Sequence, residues 1–205
     1  MKLDTSARTL RHYELNAQSF RIGTLDHDVS QNVKALLAAI EGVPPFKILD
    51  FGCGPGRDLH TFQALGHDPI GLDGCESFVE MSKSYGGVDV WHQDFLALSL
   101  PGRYFDGVFA NASLFHIPSE ALPRVLCELC DTLKPRGVLF CSNPRGNQEG
   151  WQGERYGCHF ELDRWLEVFN AAGFQLVHHY YRPEGRPRTE QPWLALVLRK
   201  VTSTG

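Results

Sequence analysis

Along this chain the spacing of apolar residues changes character near position 45. Across Thr5 to Phe20, and again across Val29 to Ile40, they recur at helical spacing, and Val33, Leu36, Leu37 and Ile40 make one apolar face. That spacing lays side chains along a single stripe of a helix, so two helices are expected before Pro44 and Pro45 end the pattern. From Phe46 onward, short apolar runs alternate with amphipathic segments. This is the pattern of βαβ units, whose crossovers assemble a parallel sheet.

The runs predict seven strands: Lys47 to Phe51, Pro69 to Leu72, Val88 to Trp91, Phe105 to Ala110, Gly137 to Ser142, Phe174 to Tyr181 and Trp193 to Arg199. Helices are expected to begin near Arg57, Glu76, Ser119 and Leu162, the last burying Leu162, Leu166 and Phe169. Leu194 to Leu198 is apolar without alternation, as suits a strand covered on both faces. Two connections, Asn143 to His159 and Arg182 to Gln191, are polar and irregular in pattern, and both leave strand ends where open α/β sheets hold ligands. No repeat, low-complexity tract or long linker divides the chain. One domain over residues 1–205 is therefore expected, with a helical cap over 1–45 and a Rossmann-like core over 46–200.

Composition narrows the partners more than the fold. A chain of 205 residues that is 42% hydrophobic and 21% charged can enclose one substantial core. Its net charge of -4 offers no basic field for a phosphate backbone, so no nucleic acid is expected. Lys2, Asp4, Arg8, Arg11 and Glu14 interrupt the N-terminal segment and leave no continuous apolar stretch for a signal peptide or membrane span. A cytoplasmic monomer or homodimer without membrane contact is the expectation. The six cysteines show no disulfide-framework spacing. Cys127 and Cys130 form a C-x-x-C, but Leu122, Leu126, Leu129 and Leu133 surround them at helical spacing and no second pair completes a zinc site. Cys158 beside His159 adds little, and no metal is expected.

The strongest local chemistry is Ile48-Leu49-Asp50-Phe51-Gly52-Cys53-Gly54-Pro55-Gly56-Arg57-Asp58, a buried strand running into glycines and then a helix. Glycines let a backbone turn tightly and approach a ligand closely; a plain tight turn is the other reading. A dinucleotide fingerprint would place a small residue at 57, where this chain has Arg57, which counts against a nicotinamide cofactor. Asp73, before Gly74, closes the second predicted strand, where a carboxylate can accept from both hydroxyls of a ribose or serve as a turn residue. Asp94 follows the third, where it can accept from an adenine amino group while Phe95 packs on the ring, or can cap a helix. Three such sites at the ends of three successive strands reinforce one another.

Together these motifs resemble the class I S-adenosylmethionine-dependent methyltransferases, from about Tyr13 to the final strand. Leu49 to Gly56 is similar to that family's first motif, Asp73 to its ribose acid and Gln93-Asp94-Phe95 to its adenine loop. Phe105 to Asn111 is similar to its fourth-strand motif, and Leu133-Lys134-Pro135-Arg136-Gly137-Val138-Leu139 to its turn into the fifth strand. The resemblance implies an α/β, Rossmann-like, doubly wound sheet of seven strands in the order 3-2-1-4-5-7-6, strand 7 antiparallel, under N-terminal covering helices. It further implies an enzyme that moves a methyl group from S-adenosyl-L-methionine to a small polar acceptor by in-line displacement. The implied cofactor residues are Tyr13, Gly52, Cys53, Gly54, Gly56, Asp73, Gly74, Asp94, Phe95 and Asn111. Tyr13, Asn16 and Phe20 are placed to cover the methionine end, although core packing accounts for Phe20 equally well.

Because a sulfonium carries its own activation, the protein has chiefly to align the acceptor and keep it deprotonated. His116, in the segment leaving the fourth strand, is the candidate general base; an imidazole bonded to backbone near the helix at Ser119 is the alternative. The Asn143 to His159 connection holds Arg145, Asn147, Glu149, Trp151, Glu154, Arg155, Tyr156 and His159 among four glycines. Arg145, Trp151 and Tyr156 from it, with Arg182, are the acceptor-binding candidates, since a guanidinium can hold a carboxylate or phosphate. A solvated loop could have the same composition. The competing class is a non-catalytic module that binds S-adenosylmethionine or partners another methyltransferase, and it predicts binding without turnover.

Overall fold

A computed structural model describes residues 2–84 and 87–201. Two helices, α1 (Lys2–Thr24) and α2 (Ser30–Ala39), precede β1 (Lys47–Phe51), α3 (Arg57–Ala64), β2 (Asp68–Asp73), α4 (Glu76–Ser84) and β3 (Asp89–His92). Then follow β4 (Phe105–Asn111), a 3-10 turn (Leu114–His116), α5 (Leu122–Thr132) and β5 (Leu133–Pro144). The chain continues through β6 (Gln148–Gln152), β7 (Arg155–His159), α6 (Leu162–Ala171), β8 (Phe174–Arg182), a 3-10 turn (Arg188–Glu190) and β9 (Trp193–Lys200).

Seven strands form one sheet in the order β3-β2-β1-β4-β5-β9-β8. The first five run parallel, joined by crossover segments as parallel pairing requires. β9 inserts between β5 and β8 and is antiparallel to both. With β8 and β9 as the sixth and seventh strands of this sheet, the expected 3-2-1-4-5-7-6 order is realised. Apolar residues cover both faces. Leu49, Phe51, Val108, Leu139 and Leu196 pack with α5 and α6 on one side, and Ile48, Phe109, Phe140 and Val197 pack with Val33 and Leu36 of α2 on the other.

Several expectations are corrected. The Asn143 to His159 connection is not irregular: β6 and β7 pair antiparallel as a separate two-stranded sheet, turning near Gly153 at φ +63°. Its glycines interrupt the side-chain alternation by which a strand is recognised. β5 starts at Leu133 rather than Gly137; the Pro135-Arg136-Gly137 string reads as a turn but lies within the strand, with Arg136 at φ +62°. α5 starts at Leu122 rather than near Ser119, because Pro123 belongs in a first turn and pins the start there. α1 reaches beyond Thr5 to Phe20 at both ends. No helix among the described residues is long and apolar enough to cross a membrane.

Candidate active site

After Phe51 the chain turns through Gly52 to Gly56 into α3. Gly54 (φ +53°) and Gly56 (φ +93°) take left-handed conformations that other residues adopt at a cost. A β-carbon on Gly56 would come within 3.0 Å of the Ser82 backbone, and one on Gly52 within 2.5 Å of Ser113 Cβ. On Gly54 it would meet only Phe20, at 3.8 Å. The space above Gly54 belongs to a cavity of about 620 Å³, beyond the carboxyl ends of β1, β2 and β4 and under α1. Small-molecule sites occupy roughly 300–1,000 Å³.

Asp73 ends β2 on the cavity wall. Its Oδ2 accepts from the Gly54 amide and its Oδ1 from the Cys75 amide, each at 2.9 Å. Burial raises its carboxyl to about 6, against the pull of these amides. Each oxygen retains a further lone pair for a ligand. Beside it, Asp94 accepts from the Leu96 amide at 2.8 Å and from Ser6 Oγ of α1 at 2.7 Å. The Phe95 ring stacks on Phe51 with centroids 4.2 Å apart.

A chain of hydrogen-bonded side chains, centred on the buried Asn32, occupies the end of β4. Asn111 Oδ1 accepts from Asn32 Nδ2 at 2.9 Å, and Asn32 Oδ1 accepts from the Tyr180 hydroxyl at 2.8 Å. Arg57 pairs with Asp58 at 2.7 Å and donates to the Thr24 carbonyl at 2.8 Å, tying α3 to the end of α1.

His116 sits in the first 3-10 turn. Its Nδ1 lies 2.8 Å from the Tyr156 carbonyl of β7, and its Nε2 lies 2.8 Å from the Tyr13 hydroxyl. A carbonyl only accepts, so Nδ1 carries the proton and Nε2 receives that of Tyr13. One edge of the ring faces the cavity, yet protein surrounds it closely enough that burial draws its pKa down to about 4, assisted by Arg155, His159 and His12. The backbone partner of His116 thus lies in β7 rather than near the helix expected at Ser119. Arg155 Nη1 donates to the same Tyr13 oxygen at 3.4 Å.

Of the residues singled out in the sequence, Tyr13, Asn111, His116 and Arg182 line the cavity with Gly52, Gly54, Asp73, Asp94 and Phe95. Cys53 and Gly74 do so too, while Gly56 lies beneath the loop against Ser82. The structure does not bring Arg145, Trp151 or Tyr156 to this wall. Arg145 is engaged with Glu161 at 3.1 Å and with the carbonyls of Arg188 and Gln191. Trp151 is 39% exposed under the Arg8 guanidinium. The Tyr156 hydroxyl donates to Glu149 at 3.0 Å. Ser6, Phe115, Arg155 and Trp193 line the cavity without belonging to any motif. The only hint of Arg155 in the sequence was its membership of a polar, glycine-rich segment.

A profile of the methyltransferase domain family matches residues 48–137, the stretch that carries the glycine loop, Asp73 and Asp94. With the fold, this match supports a class I S-adenosylmethionine-dependent methyltransferase. The chain is 27% identical over 180 residues to a sterol 24-C-methyltransferase of Gibberella zeae, covering 76% of this chain and 46% of that protein. It is 28% identical over 130 residues to a ubiquinone biosynthesis O-methyltransferase of Dinoroseobacter shibae, covering 60% and 51%. The chain therefore spans about half the length of these curated relatives. Its fold matches, with a TM-score of 0.79 and 22% identity, the 1,6-didemethyltoxoflavin-N1-methyltransferase of Burkholderia thailandensis, whose structure holds 1,6-didemethyltoxoflavin and S-adenosylhomocysteine. The match covers 98% of this chain and 91% of that one, and what it establishes is the shared fold.

Proposed function

We propose that this chain uses S-adenosyl-L-methionine to methylate a small polar molecule by in-line displacement. The observation that carries the reading is the cradle formed by Asp73 and Gly54: a buried carboxylate with lone pairs to spare, beside a left-handed glycine on the cavity wall whose β-carbon would touch only the Phe20 ring. In this reading Asp73 accepts from the ribose hydroxyls, while Asp94 and Phe95 take the edge and face of adenine. Gly52, Cys53, Gly54 and Asn111 border the methionine, and Gly56 supports the loop. At Gly74 a β-carbon would come within 2.8 Å of Leu10, so glycine there lets α1 close over the ribose.

The bound cofactor supplies a methyl group already activated by its sulfonium. The Tyr13 hydroxyl has its proton committed to His116, accepts a long bond from Arg155 and lines the cavity with lone-pair capacity left for a ligand. It accepts from the nucleophile's X–H and so orients it, with His116 behind it as the base. Arg182, anchored to the Asp28 carbonyl at 2.8 Å, stands at the mouth where the acceptor's polar substituents pass. One domain, acting in the cytoplasm as a monomer or homodimer, completes the proposal, and six free cysteines agree with a reducing compartment.

Calorimetric titration with S-adenosylmethionine and S-adenosylhomocysteine, followed by a metabolite-pool screen for S-adenosylhomocysteine release, tests the reading. Binding with turnover supports it. Failure of both ligands to bind overturns it, and tight binding without turnover of any pool would favour the sensor module instead.

A further inference from the structure

Arg57, Arg155 and Arg182 all line the cavity, in different company. Arg57 is paired with Asp58, and Arg182 donates to the Asp28 carbonyl with the Asp28 carboxylate near enough to feel its charge. Arg155 opens β7, half-buried, and its polar contact is the long one to Tyr13 Oη. Among the described residues no carboxylate reaches it. Its sequence neighbour Glu154 is held by Arg8 at 2.8 and 2.9 Å, while Asp73 and Asp94 are occupied by backbone amides and Ser6. Its contact Tyr13 and the adjoining His116 are neutral, the phenol pushed up and the imidazole drawn down by burial, while the Asp73 charge is felt at Tyr13 with no contact to Arg155.

An arginine in such a place is a cation without its counter-charge, and partial burial makes that state costly. The planar guanidinium fork matches a carboxylate with two parallel hydrogen bonds. On the methyltransferase reading, on which this inference rests, the cofactor's sulfonium brings a second positive charge into the same cavity. An acceptor carrying a negative charge relieves both. The wall nearby is aromatic, with Phe115 and Trp193 edge to face at 6.5 Å.

We propose that Arg155 is an acceptor-binding residue, and that the acceptor is a small carboxylate-bearing molecule whose anionic end it grips while the body lies against Phe115 and Trp193. The test uses two probes of equal shape, benzoate and benzamide, titrated at constant ionic strength into protein saturated with S-adenosylhomocysteine. The wild-type protein is expected to bind benzoate about tenfold more tightly than benzamide. Arg155→Met is expected to abolish that preference and Arg155→Lys to restore part of it, with affinity for S-adenosylhomocysteine unchanged in both variants. Equal binding of the two probes by the wild type, or a preference that survives Arg155→Met, overturns the proposal. A loss of S-adenosylhomocysteine affinity in Arg155→Met also overturns it, because Arg155 would then serve the cofactor's own carboxylate. A wild-type protein that does not bind S-adenosylhomocysteine at all removes the methyltransferase reading, and this proposal with it.

Discussion

Asp73 is buried where its charge is poorly solvated, and its carboxyl is raised to about 6. Two pH effects of opposite sign follow. An unfolded aspartate titrates near about 3.9, so between there and about 6 the folded chain binds the proton more tightly and stability falls as pH rises. Asp50, raised by burial and by the neighbouring Asp58 charge, acts in the same direction. On the proposed reading, in which ribose hydroxyls donate to the ionised carboxylate, cofactor affinity runs the other way. Affinity for S-adenosylhomocysteine is expected to rise with pH up to about 6 by as much as about tenfold per unit and then to level off, as calorimetry at several pH values would show. Asp73→Asn should flatten that dependence, and Asp73→Ala should weaken binding by about 1–3 kcal/mol. Asp73, Asp94 and the glycine loop were legible in the sequence because each is a short local string at a strand end. The partners of His116 and Arg155 were not: Tyr13 stands 103 residues from one and 142 from the other, and no local pattern records such a meeting.

As an element, α1 is fastened across the cavity by side chains along its length. Ser6 donates to Asp94, Thr9 Oγ1 accepts from the Tyr156 amide, Tyr13 donates to His116, and Glu14 accepts from Ser77 at the start of α4. Glu14→Ala removes one fastening and an acceptor for the first turn of α4. It is expected to destabilise the protein by about 1 kcal/mol in urea unfolding and to speed S-adenosylhomocysteine release several-fold in stopped-flow displacement. Unchanged release would show that α1 does not govern exchange. The limits of α1 were hard to read because its helical face is only partly apolar, with Leu15 and Ile22 exposed. The β6–β7 hairpin escaped notice because Gly150, Gly153 and Gly157 leave no side chains to alternate.

For the whole molecule, the apolar runs were sufficient to find every strand of the large sheet, the central ones because strands buried on both faces need no polar positions. Their order came from the family resemblance, because pairing across a sheet leaves no mark in a single run. The insertion of β9 between β5 and β8 carries much of the core's integrity, and Leu196 in it is fully buried. Leu196→Ala is expected to cost about 2–5 kcal/mol in urea unfolding, whereas a loss below 1 kcal/mol would mean that this end of the sheet is loosely packed. The cavity itself has a divided origin. Gly52, Gly54, Asp73 and Asp94 come from residues 48–137, the part shared with the methyltransferase domain family, whereas Tyr13, Arg155, Arg182 and Trp193 come from outside it. On the proposed reading the floor that holds the nucleoside is inherited with residues 48–137 alone, whereas a change of acceptor would draw on both origins, since Phe115 and His116 lie in the shared part and Arg155 and Trp193 in the flanks.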